Sequence, residues 1–97
     1  VTLYRIRYTS EAARRIRRLH PDVKAFLREA IEALAAAPWS GHALRFELDG
    51  YRSLRARRYR IVHRVDDDAH VIEIHYVGLR RDVYESFRRL LRGAPEE

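Results

Sequence analysis

Hydrophobic and polar residues alternate from Leu3 to Tyr8, with Tyr4, Ile6 and Tyr8 on one side and Leu3, Arg5 and Arg7 on the other. A period of two predicts a strand with one apolar face. The period then lengthens. Thr9 and Ser10 suit a helix N-cap, Glu11 suits a first turn, and Ala12, Ala13, Ile16 and Leu19 recur at helical spacing. His20-Pro21 ends this helix, because the residue before a proline avoids helical dihedrals, and Pro21 suits the first turn of a second one. Val23, Phe26, Leu27, Ala30, Ile31 and Leu34 form its apolar stripe, and Pro38 stops it. The tight join predicts an antiparallel helical hairpin, with Trp39 as a cap over it.

Residues 39–50 have no sustained period, although the alternation of Leu44, Phe46 and Leu48 predicts a further extended piece. Asp49-Gly50 marks a turn. Strand periodicity returns at Tyr51–Ala56, Arg58–Val65 and His70–Val77, with Asp66-Asp67-Asp68 as the turn between the last two and Gly78 at the end. Asp82 and Glu85 stand in the capping-box relation at the head of a last helix. Val83, Phe87, Leu90 and Leu91 form its apolar side, and Gly93 and Pro95 close it. The order β-α-α-β-β-β-α describes an α+β domain. It predicts a mostly antiparallel sheet of about four strands packed with a helical hairpin and a C-terminal helix. With no repeat and no linker, residues 1–97 read as a single domain.

Composition removes several function classes. The chain has no cysteine, which rules out a disulfide framework and a thiolate metal site, and no histidine spacing suits a metal. No apolar run approaches the roughly 20 residues that cross a bilayer. The opening residues alternate like a strand instead of a signal peptide. The expectation is a cytoplasmic protein with no metal, no cofactor and no membrane partner. Net charge is +6, with 19 arginines to one lysine. A GC-rich genome explains arginine in place of lysine but not an excess of cations over anions, so the balance favours a polyanionic partner.

Six of the fourteen residues from Tyr51 to Arg64 are arginine, interleaved with hydrophobic residues at strand spacing. A strand would hold their guanidinium groups in fixed positions, where the planar fork matches two phosphate oxygens. Alternation puts Tyr59, Ile61, His63 and Val65 on a core face, and Arg60, Val62 and Arg64 on the opposite, exposed one. Arg55 and Ser53 share a face, expected to be that of Arg60. Arg80 and Arg81 follow the last strand, and Tyr84 lies one turn along the last helix. Convergence of Arg55, Arg60, Arg80 and Tyr84 in one hollow would suit a single strand of RNA or another nucleic acid, with arginines on phosphates and an aromatic ring on a base. Arg52, Arg57, Arg58 and Arg81 are further RNA-binding candidates. Arginines of the first helix read either as a solvated face or as contacts to an RNA backbone. His63 reads as a core residue or a catalytic base. His75, sharing a face with Val71, Glu73 and Val77, reads as a polar partner of Glu73 or as a base oriented by it. His20, His42 and His70 read as solvated.

The segments GYRSLRARRYRIVHRV and VGLRRDVY resemble the RelE/ParE toxin superfamily of type II toxin–antitoxin systems. That family's pattern runs roughly Tyr-Arg-x-Leu-Arg-x-Gly-x-Tyr-Arg-x-x-Tyr, then Val-Gly-x-Arg with a tyrosine shortly after. The resemblance spans nearly the whole chain. It implies a metal-independent endoribonuclease that acts on mRNA in the ribosomal A site through attack of the 2′-hydroxyl. By position it implies Arg60 on the phosphate, Arg80 near the leaving group, Tyr84 stacked on the substrate and Arg55 on the backbone. Three positions depart from the pattern. Tyr51, Arg52 and Ser53 stand where the best-known branch has lysines, and arginine, titrating above about 12, is a poor base. Leu79 stands where other branches place a histidine after Val-Gly. Arg57 or Arg58 replaces the turn glycine, and His63 the later tyrosine. The resemblance equally admits a ParE-like inhibitor of DNA gyrase, or a degenerate toxin that only binds its antitoxin. The implied partners are a small antitoxin with an acidic or amphipathic segment, ribosome and mRNA, and operator DNA reached through the antitoxin.

Overall fold

A computed structural model describes residues 3–93 of the chain, so Val1, Thr2 and the closing Pro95 lie outside the described residues. Three helices and five strands follow in order: β1 (Arg5–Tyr8), α1 (Ser10–Arg17), α2 (Pro21–Ala36), β2 (His42–Ala43), β3 (Arg52–Ala56), β4 (Tyr59–Asp66), β5 (Val71–Leu79) and α3 (Val83–Leu91). The sheet runs β1-β5-β4-β3-β2. Its last three pairings are antiparallel, while β1 lies parallel to β5, with Ile6 opposite Ile72. No helix among the described residues is long and apolar enough to cross a membrane.

The fifth strand comes from the stretch without a clear period. Gly41 takes a φ of +83°, and a Cβ there would sit 2.2 Å from the Ser53 carbonyl oxygen. Only glycine allows so close an approach, and it lets His42–Ala43 pair with Arg52–Ser53. The expected extension through Leu48 does not form. Residues Phe46–Leu48 coil into a 3₁₀ turn, with Phe46 at φ 57° and 90% exposed. Leu44 and Leu48 turn inward instead.

Local signals set the helix ends. The Thr9 hydroxyl accepts from the Ala12 amide at 3.1 Å. Pro21 opens α2, and the imidazole of His20, not one of the usual capping residues, accepts from the Asp22 amide. Asp82 occupies the N-cap of α3, but its carboxylate makes no capping bond, and Glu85 pairs with Arg88 instead. The capping box does not form. Gly93 closes the helix at φ +77°, its amide bonded to Leu90. Trp39 lies past the end of α2, 54% exposed, with its indole against the Arg52 guanidinium.

Both faces of the sheet are covered. Leu27, Ile31 and Leu34 of α2 and Ala12 of α1 pack on Ile61, Ile72, Ile74 and Val77. On the other face Val83 and Phe87 of α3 join Leu48, Val62 and Tyr76. The face carrying Arg60, Val62 and Arg64 is therefore not open along its length, and Val62 is fully buried. The β4–β5 register shifts between Val62, opposite Tyr76, and His63, opposite Ile74. This β-bulge leaves His75 as the extra residue and reverses the alternation beyond it. Val77 consequently joins the helical-hairpin core, away from Glu73 and His75, and strict alternation fails at that residue.

Candidate nucleic-acid interface

Alternation along β3 and β4 brings the basic residues into one row. Arg55 and Arg60 are direct cross-strand partners, and Gly78 lies opposite Arg60 on β5. The row sits at the end of the sheet where the β3–β4 turn meets the approach to α3. The amide of Arg80 donates to the carbonyl of Arg58 at 2.7 Å, fixing the chain after β5 against that turn. A Cβ on Gly78 would lie 3.2 Å from Val83 and 3.3 Å from Tyr76, so glycine here lets α3 close over the sheet beside Arg60.

Tyr84, in the first turn of α3, reaches back across the sheet. Its phenol donates to Ser53 Oγ at 2.9 Å, and the Arg60 guanidinium lies 6.0 Å from its ring centroid. Arg60 is half-buried, while Arg55, Arg58, Arg80 and Arg81 are exposed. Among the described residues no carboxylate forms an ion pair with Arg55, Arg60 or Arg80. Asp66 ends β4 at the far end from Arg60, and Asp67 and Asp68 follow it in the turn. The Arg55 Nε donates to the Arg57 carbonyl, which holds its side chain over the turn.

Two other arginines point elsewhere. Arg52 lies out of phase with Arg55, donates to the Trp39 carbonyl at 2.8 Å and stacks 5.2 Å from the indole. Arg57, at φ 57° in the turn, places its guanidinium 4.6 Å from the ring of Phe26 on α2. Arg58 and Arg81 flank Arg80 at the rim.

Neither buried-histidine alternative supplies a base to this row. His63 is fully buried, its Nδ1 3.1 Å from the Ile61 carbonyl, and burial holds its pKa below the ordinary range. His75 lies 3.3 Å from Glu73 and packs edge-on against Tyr51 and Phe87 beneath α3. Of the α1 arginines, Arg14 and Arg15 pair with Glu11, and Arg15 also donates to the Val77 carbonyl and lies 4.2 Å over Tyr76. Arg15 thus shields the part of β5 that extends beyond its pairing with β1. Ser53 was legible as sharing a face with Arg55; its contact with Tyr84, 31 residues away, had no sequence signal.

Residues 6–84 match the family described as the ParE toxin of the type II toxin–antitoxin system parDE. The chain is 36% identical over 83 residues to toxin RelG of Mycobacterium tuberculosis, spanning 84% of this chain and 95% of that protein. In the crystal structure of the RelBE2 toxin–antitoxin complex of M. tuberculosis, one chain matches with a TM-score of 0.78 and 33% identity, over 84% of this chain and 97% of that one. A mutant of the E. coli toxin RelE in the free state matches with a TM-score of 0.75 over 93% of this chain and 97% of that one, at 20% identity. The last likeness is one of fold alone. With the family match running from β1 to Tyr84, and with both M. tuberculosis matches above 30% identity, the chain belongs to the RelE/ParE superfamily of type II toxins.

Proposed function

We propose that this toxin is a ribosome-dependent endoribonuclease that cuts mRNA. The observation that carries the reading is the row of Arg55 and Arg60, unpaired with any carboxylate among the described residues and flanked by Tyr84. Two guanidinium groups held opposite each other repel unless an anion lies between or above them. A phosphate diester fits that need, and a base can stack on the tyrosine. In the reaction the 2′-hydroxyl loses its proton to solvent and its oxygen bonds to the adjacent phosphorus, while the bond to the 5′-oxygen breaks and that oxygen takes a proton from solvent, leaving a cyclic phosphate and a 5′-hydroxyl. Arg60 and Arg55 stabilise the charge that builds on the phosphorane oxygens, and Arg80 serves the departing oxygen.

The clustered side chains are arginines and a tyrosine, and arginine does not accept the 2′-hydroxyl proton at neutral pH. Rate must then come from charge stabilisation and from in-line alignment of the RNA. A ribosome that holds the message fixed supplies that alignment, which is why the reading includes the ribosome and a cytoplasmic site of action.

The missing proton acceptor favours one second reading, a ParE-like toxin that inhibits DNA gyrase and cuts nothing. Purified toxin added to a translating extract separates the two. New mRNA 5′ ends within translated codons support the ribonuclease. Intact message together with blocked supercoiling by gyrase supports the alternative.

The relative in the RelBE2 complex is bound to an antitoxin. We extend that pairing to this chain, with a small antitoxin as partner and operator DNA contacted through it. A groove of about 750 Å³ between α1 and α3 has Arg14, Arg15 and Arg18 along one wall, Glu11 and Asp82 beside them and Leu19, Val83 and Leu90 within it, a mixed charged and apolar seat that suits an amphipathic segment.

A further inference from the structure

We infer that Ser53 is a positioning residue that pins the phenol of Tyr84, so that Tyr84 serves RNA as a stacking surface and not as a proton donor. This inference rests on the ribonuclease reading for its consequence, but its geometry stands alone. Ser53 and His63 are the fully buried polar residues among the described ones. A buried hydroxyl without a partner is costly, and the partner of Ser53 is the Tyr84 phenol at 2.9 Å. Ser53 cannot recede from that contact. Val62 and His42 flank it on the neighbouring strands, and Gly41 packs so closely behind its carbonyl that a Cβ would sit at 2.2 Å.

Two contacts therefore fix the ring of Tyr84. Its hydroxyl is drawn down to β3, and the Arg60 guanidinium lies 6.0 Å from its centroid. Ser53 and Arg55 lie two residues apart on the same strand face, so the anchored ring stands beside the Arg55–Arg60 row. In this arrangement the phenolic proton is donated to Ser53, and Tyr84 can hand a proton to a departing oxygen only after the two hydroxyls exchange roles.

The test is a double-mutant cycle on Ser53→Ala and Tyr84→Phe in a translating extract. Each single variant should lower kcat/KM by roughly three- to tenfold, the worth of one neutral hydrogen bond. The double variant should lose no more than either single one, because both remove the same bond. Ser53→Thr should restore the rate, and the pH profile should keep its shape throughout. A Tyr84→Phe loss far beyond that of Ser53→Ala, or a changed alkaline limb, overturns the assignment. A second readout does not need activity. With tyrosine labelled by carbon-13 at Cζ, the Tyr84 resonance should move in Ser53→Ala and hold in Ser53→Thr. An unmoved resonance overturns the anchor. If wild-type toxin cuts no RNA, the ribonuclease reading fails while the resonance still decides the anchor.

Discussion

Arg55 and Arg60 face each other directly across the β3–β4 ladder, two like charges in a cross-strand pair with no carboxylate among the described residues bound to either. Such a pair costs stability, on the order of 0.2–1 kcal/mol relative to neutral partners. A site built to hold an anion carries that cost in its empty state. Arg55→Thr should therefore raise the melting temperature while weakening affinity for a short RNA. Thermal unfolding at low salt checks the first half and fluorescence anisotropy the second. A variant that is less stable and binds RNA as well as the parent would contradict the pairing's role.

Salt provides an independent measure of the same arginines. Each neutralised phosphate on a single strand contributes about −0.7 to the slope of log affinity against log salt. If Arg55, Arg60 and Arg80 each hold a phosphate, the slope is near −2, and Arg80→Ala should make it shallower by about 0.7. An unchanged slope would place Arg80 off the RNA.

Tyr84 depends on the packing of α3, and α3 depends on Phe87. That ring is fully buried and lies 4.9 Å from Tyr51 and 5.6 Å from Tyr76, centroid to centroid. Phe87→Ala should cost about 3–5 kcal/mol in urea unfolding. The loss should exceed that from Arg88→Ala, whose ion pairs at 3.8 Å reach out to the exposed carboxylates of Glu47 and Glu85 and are weak.

Much of this arrangement was readable before any coordinates. The stripe from Val23 to Leu34 gave α2, and period-two alternation put Arg55, Ser53 and Arg60 on one face, as the ladder has them. The same logic kept Arg52 out of phase with them, and Arg52 lies against Trp39. What alternation could not foresee are departures made by tertiary contacts. The bulge at His75 is an insertion in pairing, not in pattern, so it left no trace in the run of β5 residues. The two-residue β2 depends on Gly41 meeting the Ser53 backbone, a contact with no local signature. The burial of Val62 required knowing that α3 folds back over the sheet.

His63 makes stability depend on pH. Burial lowers its pKa below the ordinary 6.5. As pH falls through 6.5 the unfolded chain takes up a proton there while the folded chain resists. The unfolded state then binds more protons, so this contribution is complete above pH 6.5 and shrinks below it. The limiting slope is about 1.4 kcal/mol per pH unit. Urea unfolding at about pH 7.5 and about pH 5.5 should show a larger drop for the wild type than for His63→Phe. Equal drops would mean that His63 titrates normally in the fold.

The most direct measurement is the mapping of mRNA 5′ ends in a translating extract given wild-type toxin, Arg60→Ala or Arg80→Ala, each first shown to be folded. The wild type should produce new ends within translated codons, and each variant should cut at least about 100-fold more slowly, as expected when a group stabilising transition-state charge is removed. Cleavage by both folded variants at the wild-type rate would contradict the assignment of this arginine row as the RNA-cutting site.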